Sequence, residues 1–272
     1  MTKKGQRRMR SNSREIEASL LIWSENPQEV ASQIAGLAAI GNYRLVHHGP
    51  ITIHDVYFDT PDHALRTQEL ALRVREVGAR HWVTLKGHSQ PTDWEGGVER
   101  LEIEILWSRG ALAKVAKELL DRGIEILPQL RDLDDAHPLD IMASLGLGAV
   151  QDRESRRRVR NILKGEGSSS VLAELAIDSV VYHFGGQGIR HHEVEVEAKE
   201  RGSSSVIKTV AESLVAMYRP ALRRWDHSKL ATGKAIEQML REGALEGLLD
   251  AHNNLKPVAY DQIDDYLQRS SL

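Results

Sequence analysis

Glu193-Val194-Glu195-Val196-Glu197 places a carboxylate on every second residue with valine between. A strand sends successive side chains to opposite faces, so this stretch has one acidic face and one apolar face. The same alternation recurs toward the N-terminus, in Glu174-Leu-Ala-Ile-Asp178, Arg156-Arg-Arg158-Val-Arg160, Arg100-Leu-Glu102-Ile-Glu104, Trp82-Val-Thr84-Leu-Lys86, Arg73-Val-Arg75 and Glu15-Ile-Glu17. Within each stretch the charges are mostly of one sign, and like charges crowded on one face of a sheet repel. Acidic strands call for metal cations, which oxygen ligands suit. Basic strands call for an anion such as a phosphate chain. Both kinds in one sheet suggest a site for a metal-bound polyphosphate.

The segments around these stretches define the fold class. Apolar spacing predicts helices over Gln28 to Ile40, Gly110 to Arg122, Pro138 to Gly146, Ser203 to Tyr218 and His227 to Gly243. Strands are expected over Glu15 to Trp23, Arg44 to His47, Ile51 to Phe58, Ala71 to Glu76, Arg80 to Lys86, Val98 to Trp107, Arg156 to Leu163, Leu172 to Phe184 and Gly188 to Lys199. Gly185-Gly186-Gln187-Gly188 reads as a hairpin turn. Strands that mostly follow one another directly imply an antiparallel sheet, and the class is α+β. Closing that sheet into a barrel of about eight strands, with helices packed outside, would gather the charges in one lumen.

The chain has 272 residues, 41% hydrophobic and 28% charged, which is enough for a folded core and argues against disorder. The net charge of -3 conceals a basic start: Lys3, Lys4, Arg7, Arg8, Arg10 and Arg14 precede Glu15 with no acidic residue among them. Residues 1–13 are read as a flexible basic tail. The mostly acidic remainder does not look like a nucleic-acid binder. No apolar run reaches the roughly 20 residues of a membrane span, so no membrane role is expected. The absence of cysteine removes disulfides, thiolate metal sites and cysteine nucleophiles together, and it fits a cytoplasmic protein.

The residues also resemble a known family. Glu15-Ile-Glu17 resembles the start of the ExExK signature of the CYTH domain, also called the triphosphate tunnel metalloenzymes. The likeness continues in Tyr57-Phe58-Asp59-Thr60-Pro61, Leu72-Arg73-Val74-Arg75, Thr84-Leu85-Lys86-Gly87, Arg100-Leu-Glu102-Ile-Glu104, Glu174 to Asp178, Glu193 to Glu197 and Ser228-Lys229, in the family's order. It covers residues 14 to 233, within a barrel domain taken as 14–244. The resemblance implies an antiparallel barrel holding a triphosphate-containing small molecule and Mg²⁺ or Mn²⁺. It implies hydrolysis of inorganic triphosphate, with thiamine triphosphatase, class IV adenylate cyclase and a non-catalytic polyphosphate binder as alternatives. Carried over by position, Glu15, Glu17, Asp178, Glu195 and Glu197 would hold metal. Glu193, Glu195 and Glu197 would act on the attacking water. Arg73, Arg75, Lys86, Arg158 or its rival Arg160, and Lys229 would grip phosphate oxygens, with Glu102, Glu104 and Glu174 on the same lumen face.

One position departs from the signature: Ser19 stands where the third signature residue, lysine, is expected. A hydroxyl offers a neutral hydrogen bond where the ammonium would give a charge-assisted one of roughly twice the strength. Arg14 or Lys229 could compensate. His47-His48 and His191-His192 are read as surface or packing residues, because neighbours on a strand point to opposite faces. Residues 245–272 are read as a tail or a helix that caps the barrel, or as a contact that leaves room for a homodimer.

Overall fold

The computed structural model describes residues 10–94, 97–126, 136–165, 167–200 and 203–270. The expected tail therefore lies outside the described residues up to Met9, and Arg10 already belongs to the first strand. Ten strands and seven helices are present among the described residues. In chain order they are β1 (Arg10–Ile22), α1 (Pro27–Gly36), β2 (Ala39–Ile40), β3 (Tyr43–Asp59), α2 (Ala64–Thr67), β4 (Ala71–Val77), β5 (Arg80–Pro91) and β6 (Gly97–Leu106), then α3 (Arg109–Leu120) and α4 (Pro138–Ser144). There follow β7 (Gly148–Lys164), β8 (Val171–Phe184), β9 (Gln187–Ala198), α5 (Ser204–Tyr218), β10 (Leu222–Arg224), α6 (Lys229–Arg241) and α7 (Pro257–Ser270).

The fold is α+β around one large antiparallel sheet. Its strands are hydrogen-bonded in the order β10-β1-β6-β5-β4-β3-β7-β8-β9, and β9 also pairs with β1, so eight strands form a ring. By contacts the chain divides into two compact units. The first is built mainly from His54–Ser89 and Arg100–Val150, the second from Glu15–Ile53, Gln90–Glu99 and Gln151–Leu272.

In the first unit β3 pairs with β4 and β4 with β5, with Tyr57 opposite Arg73 and Arg73 opposite Thr84. One face of these strands is apolar. Val56, Phe58, Leu72, Val74, Val83 and Leu85 form a core with Ile103 and Ile105 of β6, with Leu112, Val115 and Leu119 of α3, and with Ile141 and Met142 of α4. Ser108 starts α3, its hydroxyl accepting from the Ala111 amide at 3.1 Å. The Asp59 carboxylate accepts from the amides of Thr60 and Leu65 at 2.8 and 2.9 Å, which fixes the turn into α2. Asp59 thus serves the backbone, though it lies in the Tyr57-to-Pro61 motif.

In the second unit β7, β8 and β9 form a long antiparallel ribbon that continues onto β1. The turn between β8 and β9 consists of Gly185 and Gly186, both at positive φ (56° and 96°), as a two-residue hairpin with a right-handed twist requires. The apolar face carries Ala18, Leu20 and Ile22, Leu175 and Ile177, and Val194 and Val196, covered by Val30 and Ile34 of α1 and Val210 and Leu214 of α5. The opposite face turns apolar toward the hairpin end. There Leu21, Val180, Tyr182 and Ile189 pack with Ile236 and Met239 of α6 and with Ala259, Tyr260 and Ile263 of α7. α6 and α7 therefore sit on the face that, further along, bears the charges. Gly233 makes this approach close: a Cβ there would lie 2.3 Å from the Gln151 side chain and 2.6 Å from Tyr182. Among the described residues no helix is long and apolar enough to cross a membrane.

Candidate functional site

The charged face of the first unit holds a balanced ionic cluster. Arg73 and Arg75 leave β4 on the side away from Leu72 and Val74, as strand alternation dictates. Arg75 makes a two-pronged pair with Asp55, Nε to Oδ1 at 2.8 Å and a terminal nitrogen to Oδ2 at 2.9 Å. Arg73 lies 3.5 Å from Asp55, 3.3 Å from Glu104 and 3.9 Å from Glu102, and it donates to the Tyr57 hydroxyl at 3.2 Å. Lys86 closes the group at 3.1 Å from Glu102, and the Thr84 hydroxyl donates to Glu104 at 3.3 Å. Burial disfavours the charge on Arg73, yet Asp55, Tyr57, Glu104 and Glu102 outweigh it and raise its pKa well above the usual value.

The second unit holds an acidic group with a lysine at its centre. Asp178 of β8 and Glu193 of β9 are paired across the ladder, and each is 1% exposed. With Glu195 they bring one carboxylate oxygen each to within 4.8 Å of one another. The Lys229 ammonium lies 3.2 Å from Asp178 and 2.6 Å from Glu195 and also donates to Glu193. It reaches them because Ser228 caps α6, its hydroxyl accepting from the Ala231 amide, so that Lys229 is the first residue of the helix. Arg157 of β7 grips Asp178 with two nitrogens at 2.8 and 2.6 Å and reaches Glu195 at 2.6 Å.

Burial would raise the Asp178 carboxyl, but Arg157 and Lys229 overcome it and hold the group well below the usual carboxylate range. Burial pushes Lys229 down to about 7 even though Asp178 pulls the other way. His191 is fully buried between Glu193, at 2.7 Å, and the Tyr260 hydroxyl, at 3.1 Å; burial first and then Lys229 push its pKa down to about 3.

Further along the same strands, Glu197 stands opposite both Glu17 and Glu174. Lys199 bridges Glu197 and Glu174 at 2.7 and 3.6 Å. Burial raises the Glu197 pKa; Lys199 opposes the rise, and Glu15 and Glu174 add to it. Glu15 and Glu17 are both buried.

Most of the residues expected from sequence thus fall into these two clusters, each within its own unit. Arg73, Arg75, Lys86, Glu102 and Glu104 come together in the first. Glu15, Glu17, Glu174, Asp178, Glu193, Glu195, Glu197 and Lys229 lie in the second. Arg158 and Arg160 do not. Register sets Arg157 opposite Asp178 but Arg158 opposite Ile177 and Arg160 opposite Leu175, so both side chains fall on the α1 face, where Arg158 touches the Ser32 hydroxyl. Arg157 replaces both, and Arg153 joins it on the same face, depressing Lys229 and His191 by like-charge repulsion. Ser19 stands opposite Glu195, which Lys229 and Arg157 already pair. The Arg14 side chain lies outside those described.

Sequence reading missed Asp55, Arg157, Arg153, Lys199 and His191. Asp55 and Lys199 had a signal, since each shares strand parity with a motif residue, Tyr57 and Glu197 respectively.

The CYTH domain family matches residues 27–222, and the chain belongs to that family. No curated protein matches it. Among solved structures the chain is similar to a Hippeastrum protein described as a candidate adenylyl cyclase with a dominant triphosphatase activity, with a TM-score of 0.53 and 17% identity over 82% of this chain and 96% of that one. That likeness speaks to the fold. A Pyrococcus horikoshii protein matches with a TM-score of 0.47 and 16% identity, over 84% of this chain and 99% of that one. An RNA triphosphatase of Schizosaccharomyces pombe matches with a TM-score of 0.38 and 12% identity, over 79% and 85% of the respective chains.

Proposed function

We propose that the chain is a divalent-metal-dependent phosphoanhydride hydrolase acting on inorganic triphosphate or a related triphosphorylated compound. The observation that carries this reading is the gathering of buried and half-buried carboxylates on one face of the second unit. Asp178, Glu193 and Glu195 converge within 4.8 Å, and Glu15, Glu17, Glu174 and Glu197 follow along the same face. Membership of the CYTH family supports it, as does the triphosphatase activity described for the Hippeastrum protein.

The donor set fits the metal. Mg²⁺ and Mn²⁺ favour carboxylate oxygens, and three such groups already enclose a positive charge, the Lys229 ammonium. Asp178, Glu193, Glu195, Glu197, Glu15 and Glu17 would hold the ion. When bound, Mg²⁺ or Mn²⁺ would neutralise phosphate charge and acidify a bound water.

The chain's own groups would do the rest. Phosphoryl transfer needs positioning and charge stabilisation more than covalent chemistry. In the second unit Arg157 would exchange carboxylate oxygens for phosphate oxygens, which fit the same planar fork, and in the first Arg73 and Arg75 have the same capacity. Lys229 in the second unit and Lys86 in the first would each add a point charge to its own cluster. Glu197, with its raised pKa, suits the role of taking a proton from the attacking water. Glu193 and Glu195 would orient that water. A hydrolase is favoured over a mere binder by Lys229, which supplies at 2.6 Å from Glu195 the cation that Ser19 does not.

The test is phosphate release from tripolyphosphate, thiamine triphosphate, ATP and GTP, each with Mg²⁺ and Mn²⁺. Metal-dependent release from tripolyphosphate is expected. Tight tripolyphosphate binding with no turnover under any metal would make the chain a binder. Preference for thiamine triphosphate, or pyrophosphate release from ATP, would move it to the corresponding alternative.

A further inference from the structure

We propose that Glu76, His81 and His137 form a Zn²⁺ site that ties the start of α4 to the β4–β5 hairpin. Each offers one ligand atom, and the three atoms lie within 4.8 Å of one another. The site is independent of the ionic cluster in the same unit. Glu76 and His81 share strand parity with Val74 and Val83, so they lie at the rim of the apolar face, opposite Arg73 and Arg75. The hydrolase reading assigns these residues nothing.

The second observation is an orphaned nitrogen. His81 Nε2 is buried and makes no hydrogen bond; the nearest carboxylate oxygen, on Glu76, is 3.7 Å away. A buried nitrogen without a partner forfeits the hydrogen bond it would make with water, and such groups are rare. A metal ion would satisfy its lone pair. The neighbours are those a zinc ion needs: the His81 and His137 rings lie edge to face with centroids 5.1 Å apart, and Glu76 faces His81 directly across the ladder. Two imidazoles with one carboxylate make a nitrogen-rich set that suits Zn²⁺ and leaves a fourth position open. His54, opposite Glu76 on β3 with Nδ1 3.9 Å from its carboxylate, stands beside that position.

The geometry needs only a modest contraction. Zn–N bonds of about 2.0–2.1 Å place tetrahedral ligand atoms about 3.3 Å apart. Closing from 4.8 Å falls within side-chain torsions, since the Glu76 side chain is 41% exposed and His137 is also exposed. The main cost is at His137, whose Nδ1 accepts from the Leu139 amide at 3.4 Å; coordination through either ring nitrogen forfeits that long contact.

Zn²⁺ titrated into the full chain by calorimetry, with excess Mg²⁺ to occupy carboxylate sites, tests the assignment. One zinc site is expected, weakened about 100-fold or more in His81→Ala and in His137→Ala, because loss of a direct ligand should cost at least as much as loss of its outer partners. Co²⁺ in place of zinc should give the visible absorption of a four-coordinate site, lost in both variants. Zn²⁺ should raise the melting temperature of the chain but not of His137→Ala, whose exposed ring leaves folding intact. Tripolyphosphate hydrolysis with Mg²⁺ should be the same in all of them, so these readouts stand whether or not the hydrolase reading holds. Zinc binding unchanged in both histidine variants, zinc held by the carboxylates of the second unit only, or no zinc bound at all would each overturn the proposal.

Discussion

The two ionic clusters solve the same problem differently. In the first unit Arg73, Arg75 and Lys86 face Asp55, Glu102 and Glu104, one cation for each carboxylate. In the second, among the described residues, Glu15, Glu17, Glu174, Asp178, Glu193, Glu195 and Glu197 share a face with Arg153, Arg157, Lys199 and Lys229. The first cluster pairs cation with acid across its strands, whereas the second gathers three acids around a single ammonium, that of Lys229. The central cation differs too: Arg73 in the first cluster, Lys229 in the second. Arginine stays charged at any working pH, whereas burial brings Lys229 down to about 7. On the proposed hydrolase reading, that ammonium would give way to a metal ion.

The largest effect expected from this contrast is on stability. Lys229→Met strands Asp178 and its neighbours and should cost about 3–5 kcal/mol in denaturant unfolding, the range for breaking a buried pair. Millimolar Mg²⁺ or Mn²⁺ should restore part of it by binding the folded state. A variant as stable as the parent, or one that ignores metal, breaks the contrast. Glu195→Gln should lower metal-dependent tripolyphosphate turnover about 100-fold or more while the chain stays folded; phosphate release at parental rates would remove Glu195 from the reaction.

Next is a pH effect confined to the second unit. Burial holds His191 down to about 3 and His192 to about 4, so the folded state takes up fewer protons than the unfolded chain below about 6.5. Stability should therefore fall as pH drops from about 6.5 toward 4, by up to about 1.4 kcal/mol per pH unit for each histidine. His192→Gln should flatten that limb in urea unfolding followed across pH, and an identical slope would refute the assignment. Arg75→Lys gives up the two-pronged grip on Asp55 and should raise the KM for tripolyphosphate about tenfold with a smaller change in kcat. The smallest effect tests register: Arg158→Ala, on the α1 face, should change activity less than about twofold, whereas Arg157→Ala should reduce it at least tenfold. Equal losses would undo the parity assignment.

How much of this the sequence could disclose depended on where its periodicity was clean. Arg73-Val-Arg75 and Glu193-Val-Glu195-Val-Glu197 each have an apolar residue between charges, and both faces follow at once. Arg156-Arg157-Arg158 satisfies either parity. The choice is made by pairing with β8, where Asp178 meets Arg157, and Val159 misleads because it lies on the charged side with Arg157 while Arg158 and Arg160 pair with apolar neighbours. The first half of β7 was illegible for a related reason. From Gln151 to Ser155 both faces are polar, because Gln151 caps the Leu230 carbonyl and Arg153 serves the acidic group, so no hydrophobic period exists to be read. β3 runs unbroken through Gly49 and Pro50, residues that predicted an interruption, because that stretch is exposed. Asp55 was passed over as a single acid among apolar residues; only the ladder sets it against Arg75.

Among the described residues of its cluster, Lys229 is carried by a helix, while the acids around it and Arg157 are fixed in the hydrogen-bonded ladder. The helix is anchored from behind by Tyr260 and Ile263, near the far end of the chain. Loosening that helix would therefore draw a positive charge away from Asp178, Glu193 and Glu195 without disturbing a strand.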